Sequence, residues 1–155
     1  MSEGNAPFAE SALAAMLDSL DGGALVFEGE GLSCRASSAR VTELLGLPSE
    51  PLLGRKRDEL LAAIVPGDDA TARAIAALRG VVEGEVRRET LAIKSDPPRL
   101  VEWSSAPITP EDGAEGRVDL LTDRTVEALL REELERVYAK MAETSLVDEL
   151  TGLAN

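Results

Sequence analysis

Residues 37–69 read SSARVTELLGLPSEPLLGRKRDELLAAIVPGDD, and their punctuation decides how the rest of the chain is arranged. Glycine and proline fall at intervals too short for one continuous helix. Ser37 or Ser38 is a suitable N-cap for a short helix carrying Val41, Leu44 and Leu45, which Gly46 ends. Residues 50–53 suit a further helical turn closed by Gly54. Residues 58–64 suit a third, closed by Pro66-Gly67. Asp68 or Asp69 then caps a longer helix over residues 70–79, with Ile75 and Leu78 on its inward stripe. Such a cluster of short helices has little core of its own. It needs a sheet to pack against.

Both flanks supply strands. Upstream, residues 24–28 and 32–35 are short apolar runs separated by Gly29-Glu30-Gly31, which reads as a hairpin turn. Downstream, residues 85–94 alternate in the strand period, and residues 99–108 and 117–122 add two more strands. The turn Ser95-Asp96-Pro97-Pro98 and the loop Pro110-Glu111-Asp112-Gly113 separate them. The fold class is therefore α+β: a five-stranded antiparallel sheet with short helices inserted between strands 2 and 3.

Two helices frame this unit. Residues 8–20 form an amphipathic N-terminal helix whose packing face is Phe8, Leu13, Met16, Leu17 and Leu20. Residues 1–7 are small and polar and are expected to be disordered. From residue 125 to residue 148 there is neither proline nor glycine, and Glu, Arg, Leu and Ala dominate. One long helix is expected there, about 36 Å in length. Leu130, Leu134, Val137, Met141 and Thr144 repeat at 4-3-4-3 spacing along it, a coiled-coil seam. The domain boundaries are accordingly 21–124 for the sheet unit, 125–147 for the long helix and 148–155 for a further start.

Composition narrows the function. The chain has 155 residues, 44% of them hydrophobic but only 3% aromatic, so the core must be largely aliphatic. The formal net charge of −13 repels nucleic acid and anionic lipid, so neither is an expected partner. There is no histidine, which removes the usual haem ligand, any histidine-based catalytic relay and the commonest metal ligand. No metal site is expected. One cysteine, Cys34, excludes an internal disulfide. Apolar runs are far shorter than the ~20 residues of a membrane span, and no signal peptide is apparent, so a cytoplasmic location is expected.

The order of elements resembles a PAS domain. Residues 37–69 are similar to that family's helical middle, which runs N-x-x-F-x-x-L-x-G, then L-x-G-x-x-x-x-x-L, then P-x-D. Ser38 stands where the family often has Asn, and Val41 where it often has an aromatic. RLVEWSSAPI (residues 99–108) and DLLTDRTVEALLREEL (residues 119–134) resemble its last strands and exit. Asp123-Arg124-Thr125 resembles the D-x-T motif with which PAS domains couple to a following helix. The resemblance implies that Asp123 accepts a charge-assisted bond from a basic residue. It implies too that Thr125 caps or steadies the helix.

The resemblance also allows ligands to be weighed. Flavin-binding LOV domains, a PAS subclass, carry G-R-x-C-R-F-L-Q, and Gly54-Arg55-Lys56-Arg57 aligns with its start. Arg57 replaces the adduct-forming cysteine, so LOV photochemistry is disfavoured, as is histidine-ligated haem. The candidate pocket residues are Cys34, Arg57 and Trp103. Trp103 could stack on an organic ligand or simply pack. Cys34 could be a small core residue. Arg55, Lys56 and Arg57 could face a ligand carboxylate or form a solvated patch. The cofactor expectation is none, or an unknown small molecule.

The final residues, DELTGLAN, resemble the opening of a GGDEF domain, whose first motif is D-x-L-T-G-L-x-N. Asp148, Leu150, Thr151, Gly152, Leu153 and Asn155 are the matching letters. The resemblance implies a diguanylate cyclase, which condenses two GTP into cyclic di-GMP where two GGDEF domains face each other. GTP and magnesium would then bind only in that domain. The chain itself, lacking the catalytic set, would not be an enzyme. It would be a sensory, regulatory and dimerisation module, a homodimer through the N-terminal helix, the PAS unit and the long helix. The alternative is a ligand-free PAS interaction domain attached to a degenerate GGDEF, with or without a phosphodiesterase domain.

Overall fold

The computed structural model describes residue 15 and residues 22–154, with side-chain surroundings given up to Leu146. The expected N-terminal helix, with Phe8, Leu13, Met16, Leu17 and Leu20, lies outside the described residues, as does Asn155. The elements are β1 (Gly23–Glu28), β2 (Ser33–Ser37), α1 (Val41–Leu45), α2 (Arg57–Ala62), α3 (Asp69–Arg79), β3 (Arg87–Ile93), β4 (Arg99–Ile108), β5 (Gly116–Asp123) and α4 (Thr125–Ala154). They fall into two units, one ending at Asp123 and one beginning at Arg124.

The strands form one antiparallel sheet in the order β2-β1-β5-β4-β3. The hairpin between β1 and β2 turns on Gly29 and Gly31, both at positive φ, and closes with Leu32 N–H donating to the Gly29 carbonyl at 3.0 Å. Gly22 is needed for a different reason. It sits at φ +125°, and a Cβ there would lie 2.3 Å from the Leu121 carbonyl oxygen on the neighbouring strand.

One face of the sheet carries the main core. Leu25 and Phe27 of β1, Leu91 and Ile93 of β3, Val101 and Trp103 of β4, and Leu121 of β5 meet the apolar sides of α1, α2 and α3. The opposite face has a smaller cluster, Ala24, Val26 and Ala36, with Ile108 and Val118 against it. In keeping with the composition, Phe27 and Trp103 are the only aromatics of the main cluster among the described residues.

Three helical expectations are corrected. Residues 50–53 are not helical: Pro51 lies within the segment, and proline biases the residue before it, here Glu50, to extended geometry. Ser38 does not cap α1; its hydroxyl accepts from the Ala24 N–H at 2.9 Å and ties the end of β2 to β1. The long helix runs on to Ala154, 30 residues in all, beyond its expected end at residue 147. Asp68, by contrast, caps α3, accepting from Thr71 N–H at 2.7 Å.

Loop backbone covers both sheet edges. Beside β2, Cys34 N–H donates to the Arg55 carbonyl, Gly54 N–H to the Cys34 carbonyl, and Arg57 N–H to the Leu32 carbonyl. Beside β3, Gly67 N–H donates to Ala92, Lys94 N–H to Val65, and Ala92 N–H to the Thr71 hydroxyl. These bonds close part of each edge, shortening the open ladders that invite aggregation. They also fix the start of α2, and with it Arg57. Among the described residues no helix is long and apolar enough to cross a membrane.

The core makes a direct prediction. Leu60 is fully buried on α2. Leu60→Ala should cost about 2–5 kcal/mol, read as a lower urea midpoint at unchanged slope. A loss under about 1 kcal/mol would show that α2 is not packed as described.

Candidate functional site

The unit's inward face is not wholly apolar. Arg57, Arg117 and Asp119 are 3%, 1% and 0% exposed, and Ser105 is fully buried with them. Register explains how they meet. Ser105 on β4 lies directly opposite Asp119 on β5, and Arg117 precedes Asp119 by two, on the same face. Arg57 reaches them from the first turn of α2.

The bonds are specific. Arg57 Nε donates to Asp119 Oδ2 at 2.7 Å, Nη1 to the Leu78 carbonyl at 2.7 Å, and Nη2 to Ser105 Oγ at 3.3 Å. Arg117 Nε donates to the same Ser105 Oγ at 2.8 Å. Its Nη1 donates to the Val82 carbonyl at 3.3 Å and its Nη2 to the Glu85 carbonyl. Burial, and then the neighbouring Arg57 charge, pull the Arg117 guanidinium below its usual value; Asp119, Glu85 and Glu115 act the other way. Among the described residues two buried side-chain polar atoms have no hydrogen-bond partner, Asp119 Oδ1 and Trp103 Nε1. Each is costly in a low-dielectric interior.

The three pocket residues read from sequence are all buried, in different roles. Trp103 sits in the main core between Leu121 of β5 and Glu89 of β3 in register. Cys34 packs in the same cluster, its thiol pushed up to about 11 by burial, against a smaller opposing effect of the Ala36 carbonyl it bonds. Arg57 corrects the solvated-patch reading: it is an interior residue held by a carboxylate. The sequence reading missed Ser105, Arg117 and Asp119. Two charges in strand alternation with Leu121 were the available signal.

At the end of β5, Asp123 Oδ2 accepts from Arg99 Nη1 at 3.3 Å, and Arg99 Nη2 reaches Glu43 of α1 at 3.1 Å. Arg99 thus links the last strand to the first inserted helix. Thr125 opens α4.

Residues 17–133 match a family described as the PAS fold. The chain belongs to the PAS fold family. Among solved structures, this PAS chain is similar to the PAS domain of BvgS from Bordetella pertussis, with 20% identity over 84% of this chain and 96% of that one, at a TM-score of 0.53. The PAS domain of an HTR-like protein from Haloarcula marismortui matches at 18% identity over 79% and 97%, with a TM-score of 0.52. A LOV protein from Rhodobacter sphaeroides matches at 13% identity over 73% and 65%, also at 0.52. At such identities these likenesses establish the fold alone. No curated protein matches the chain. The chain is a PAS sensory or regulatory domain followed by a C-terminal helix.

Two outcomes are expected. Arg57→Met leaves Asp119 buried without its closest cation and should cost about 3–5 kcal/mol in chemical denaturation. The double variant Arg57→Met/Asp119→Leu should recover most of that loss. A double variant as unstable as the single would show that packing, and not the unpaired charge, sets the cost. Cys34 should resist a thiol reagent at pH 8 and react once the chain is unfolded. Because its pKa is raised on folding, its contribution to stability is intact below the unfolded value. That contribution is lost as pH rises toward about 11. Rapid labelling of the native chain would contradict the burial.

Proposed function

We propose that this PAS domain sets the geometry of a homodimer whose paired α4 helices bring two GGDEF domains face to face, and so controls the condensation of two GTP into cyclic di-GMP. The observation that carries the dimer is the seam. Leu130, Leu134, Val137 and Met141 are 65%, 52%, 43% and 60% exposed, at 4-3-4 spacing on a helix of 30 residues. So long an apolar stripe in water is best explained by a second copy. Beside it, Glu127 pairs with Arg124 and Arg131, and Glu133 with Arg136, within the helix. These solvated pairs suit flanking positions. Thr144 ends the seam with its hydroxyl donating back to the Lys140 carbonyl at 3.0 Å, so it adds no apolar knob.

The cyclase rests on sequence alone: Asp148, Leu150, Thr151, Gly152, Leu153 and Asn155 match the GGDEF opening. Residues 148–154 continue α4, so the motif would stand at the end of the connecting helix. A short seam that weakens toward that end can shift register or rotate at low cost, which suits a relay between two states. The D-x-T residues Asp123 and Thr125 would join it to the last strand.

Sedimentation of residues 1–155 tests the dimer. The chain should be dimeric at tens of micromolar, and Leu134→Glu should make it monomeric with its circular dichroism largely kept. A wild-type monomer at that concentration overturns the reading. The cyclase link is read separately from the codons that follow Asn155: a G-G-D-E-F run is expected, and its absence removes the link.

A further inference from the structure

The α4 seam carries information about the direction of its partner. In a heptad lettered a to g, the step from a to d is three residues and from d to the next a is four. Leu134 and Met141 are therefore a residues, and Leu130, Val137 and Thr144 are d residues. Parallel two-stranded coils favour a β-branched residue at a and leucine at d. In α4 the β-branched residues fall at d instead. Glu127 takes the a position before Leu130. In a parallel pair it would meet its own copy, placing two carboxylates across the axis, which is repulsive.

The flanking e and g residues, which set partner orientation, point the same way. Arg131 and Tyr138 are at e, and Glu133 and Lys140 are at g. In a parallel pair each g residue faces the e residue five places further on in the second copy. Glu133 would then meet Tyr138, and Lys140 would meet Ser145, so no opposite charges are joined. In an antiparallel pair g faces g and e faces e. With the two-fold axis between residues 135 and 136, Glu133 meets Lys140 and Arg131 meets Tyr138, each twice by symmetry. The first is an ion pair and the second a cation over an aromatic ring.

The same axis orders the seam. Leu134 packs on Val137 of the second copy and Leu130 on Met141, so each layer joins unlike side chains. Glu127 falls beside Thr144, away from its own copy. The flanking groups are free to take these roles. Lys140 is exposed and has no carboxylate partner among the described residues. Tyr138 is exposed beside the seam. Glu133 holds only the solvated pair with Arg136.

We propose that the α4 helices of two copies pair antiparallel over residues 127–144 as the resting form of the dimer. At 1.5 Å per residue, the two copies of residue 148 then lie about 38 Å apart along the axis, so domains that begin there do not start side by side. The four apolar seam residues are covered in either direction. Antiparallel and parallel pairing thus differ only in flanks and layer partners, a difference small enough for a signal to overcome. The inference rests on the seam reading above and supplies its inactive arrangement.

Disulfide trapping in the full chain tests the direction. Leu130→Cys and Met141→Cys chains are mixed in equal amounts, left to exchange and oxidised mildly. The disulfides are mapped by mass spectrometry, so Cys34, buried in the sheet unit, does not enter the count. Positions 130 and 141 are about 16 Å apart along the helix, far beyond the reach of a disulfide. Antiparallel pairing should therefore link 130 to 141 at least about fivefold more than it links either position to itself. Charge reversal gives a second readout by sedimentation. Glu133→Lys should weaken the dimer about fivefold, and Glu133→Lys/Lys140→Glu should restore it to within about twofold of wild type. Links of 130 to 130 and 141 to 141 in excess, or a double variant as weak as the single, overturn the antiparallel form and leave the dimer standing. A wild-type chain that is monomeric at tens of micromolar overturns both readings.

Discussion

A full positive charge held at 3% exposure constrains everything around Arg57. Removing a guanidinium from water costs several kcal/mol, and only a close counter-charge with all donors engaged offsets it. The fold supplies both, from distant parts of the sequence. Asp119 is 62 residues away, Leu78 is 21 and Ser105 is 48. Helix α2, the end of α3 and strands β4 and β5 must all be in place before the charge is satisfied. The pair therefore adds little net stability while penalising other arrangements of the short helices on the sheet. A cluster of helices this short, packed largely by aliphatic side chains, draws much of its positional specificity from such polar contacts.

The same constraint explains why the helical middle lies where it does. Arg57 N–H bonds the Leu32 carbonyl, so the residue that carries the buried charge also closes the edge of β2. Its neighbours follow this split. Arg55 and Lys56 take the backbone along the edge, and the side chain that comes next turns inward. Three consecutive basic residues thus separate into two environments within one turn of chain.

That separation marks the limit of what the residues alone disclose. The five strands, the insertion of helices after β2 and the long exit helix follow from glycine and proline punctuation and from periodicity, signals that act over a few residues. The interior charges do not. In β5, alternation by hydrophobicity would turn Val118 and Leu120 inward, whereas Leu120 is exposed and Arg117, Asp119 and Leu121 face the core. The phase of that strand is set by partners on other elements: Arg57 for Asp119, and Ser105 with two carbonyls for Arg117. Likewise Ser38 has the right side chain for a cap, but the nearby Ala24 N–H takes it. Where two local outcomes are close in energy, a tertiary hydrogen bond selects between them.

Strand β5 is where these arguments converge. It pairs with β1 on one side and β4 on the other, so it is the most enclosed strand of the sheet. Its inward residues hold the interior charges, and its last residue, Asp123, accepts from Arg99, which also reaches Glu43 on α1. A change in the charge balance at Arg117 and Asp119 therefore acts on a strand with little freedom to absorb it sideways, since both neighbours hold its register. The ion pair at its C-terminal end is more than one-fifth exposed on both partners and is correspondingly weak. Strand β5 thus joins the interior charges to the residues that lead into α4 within one run of backbone.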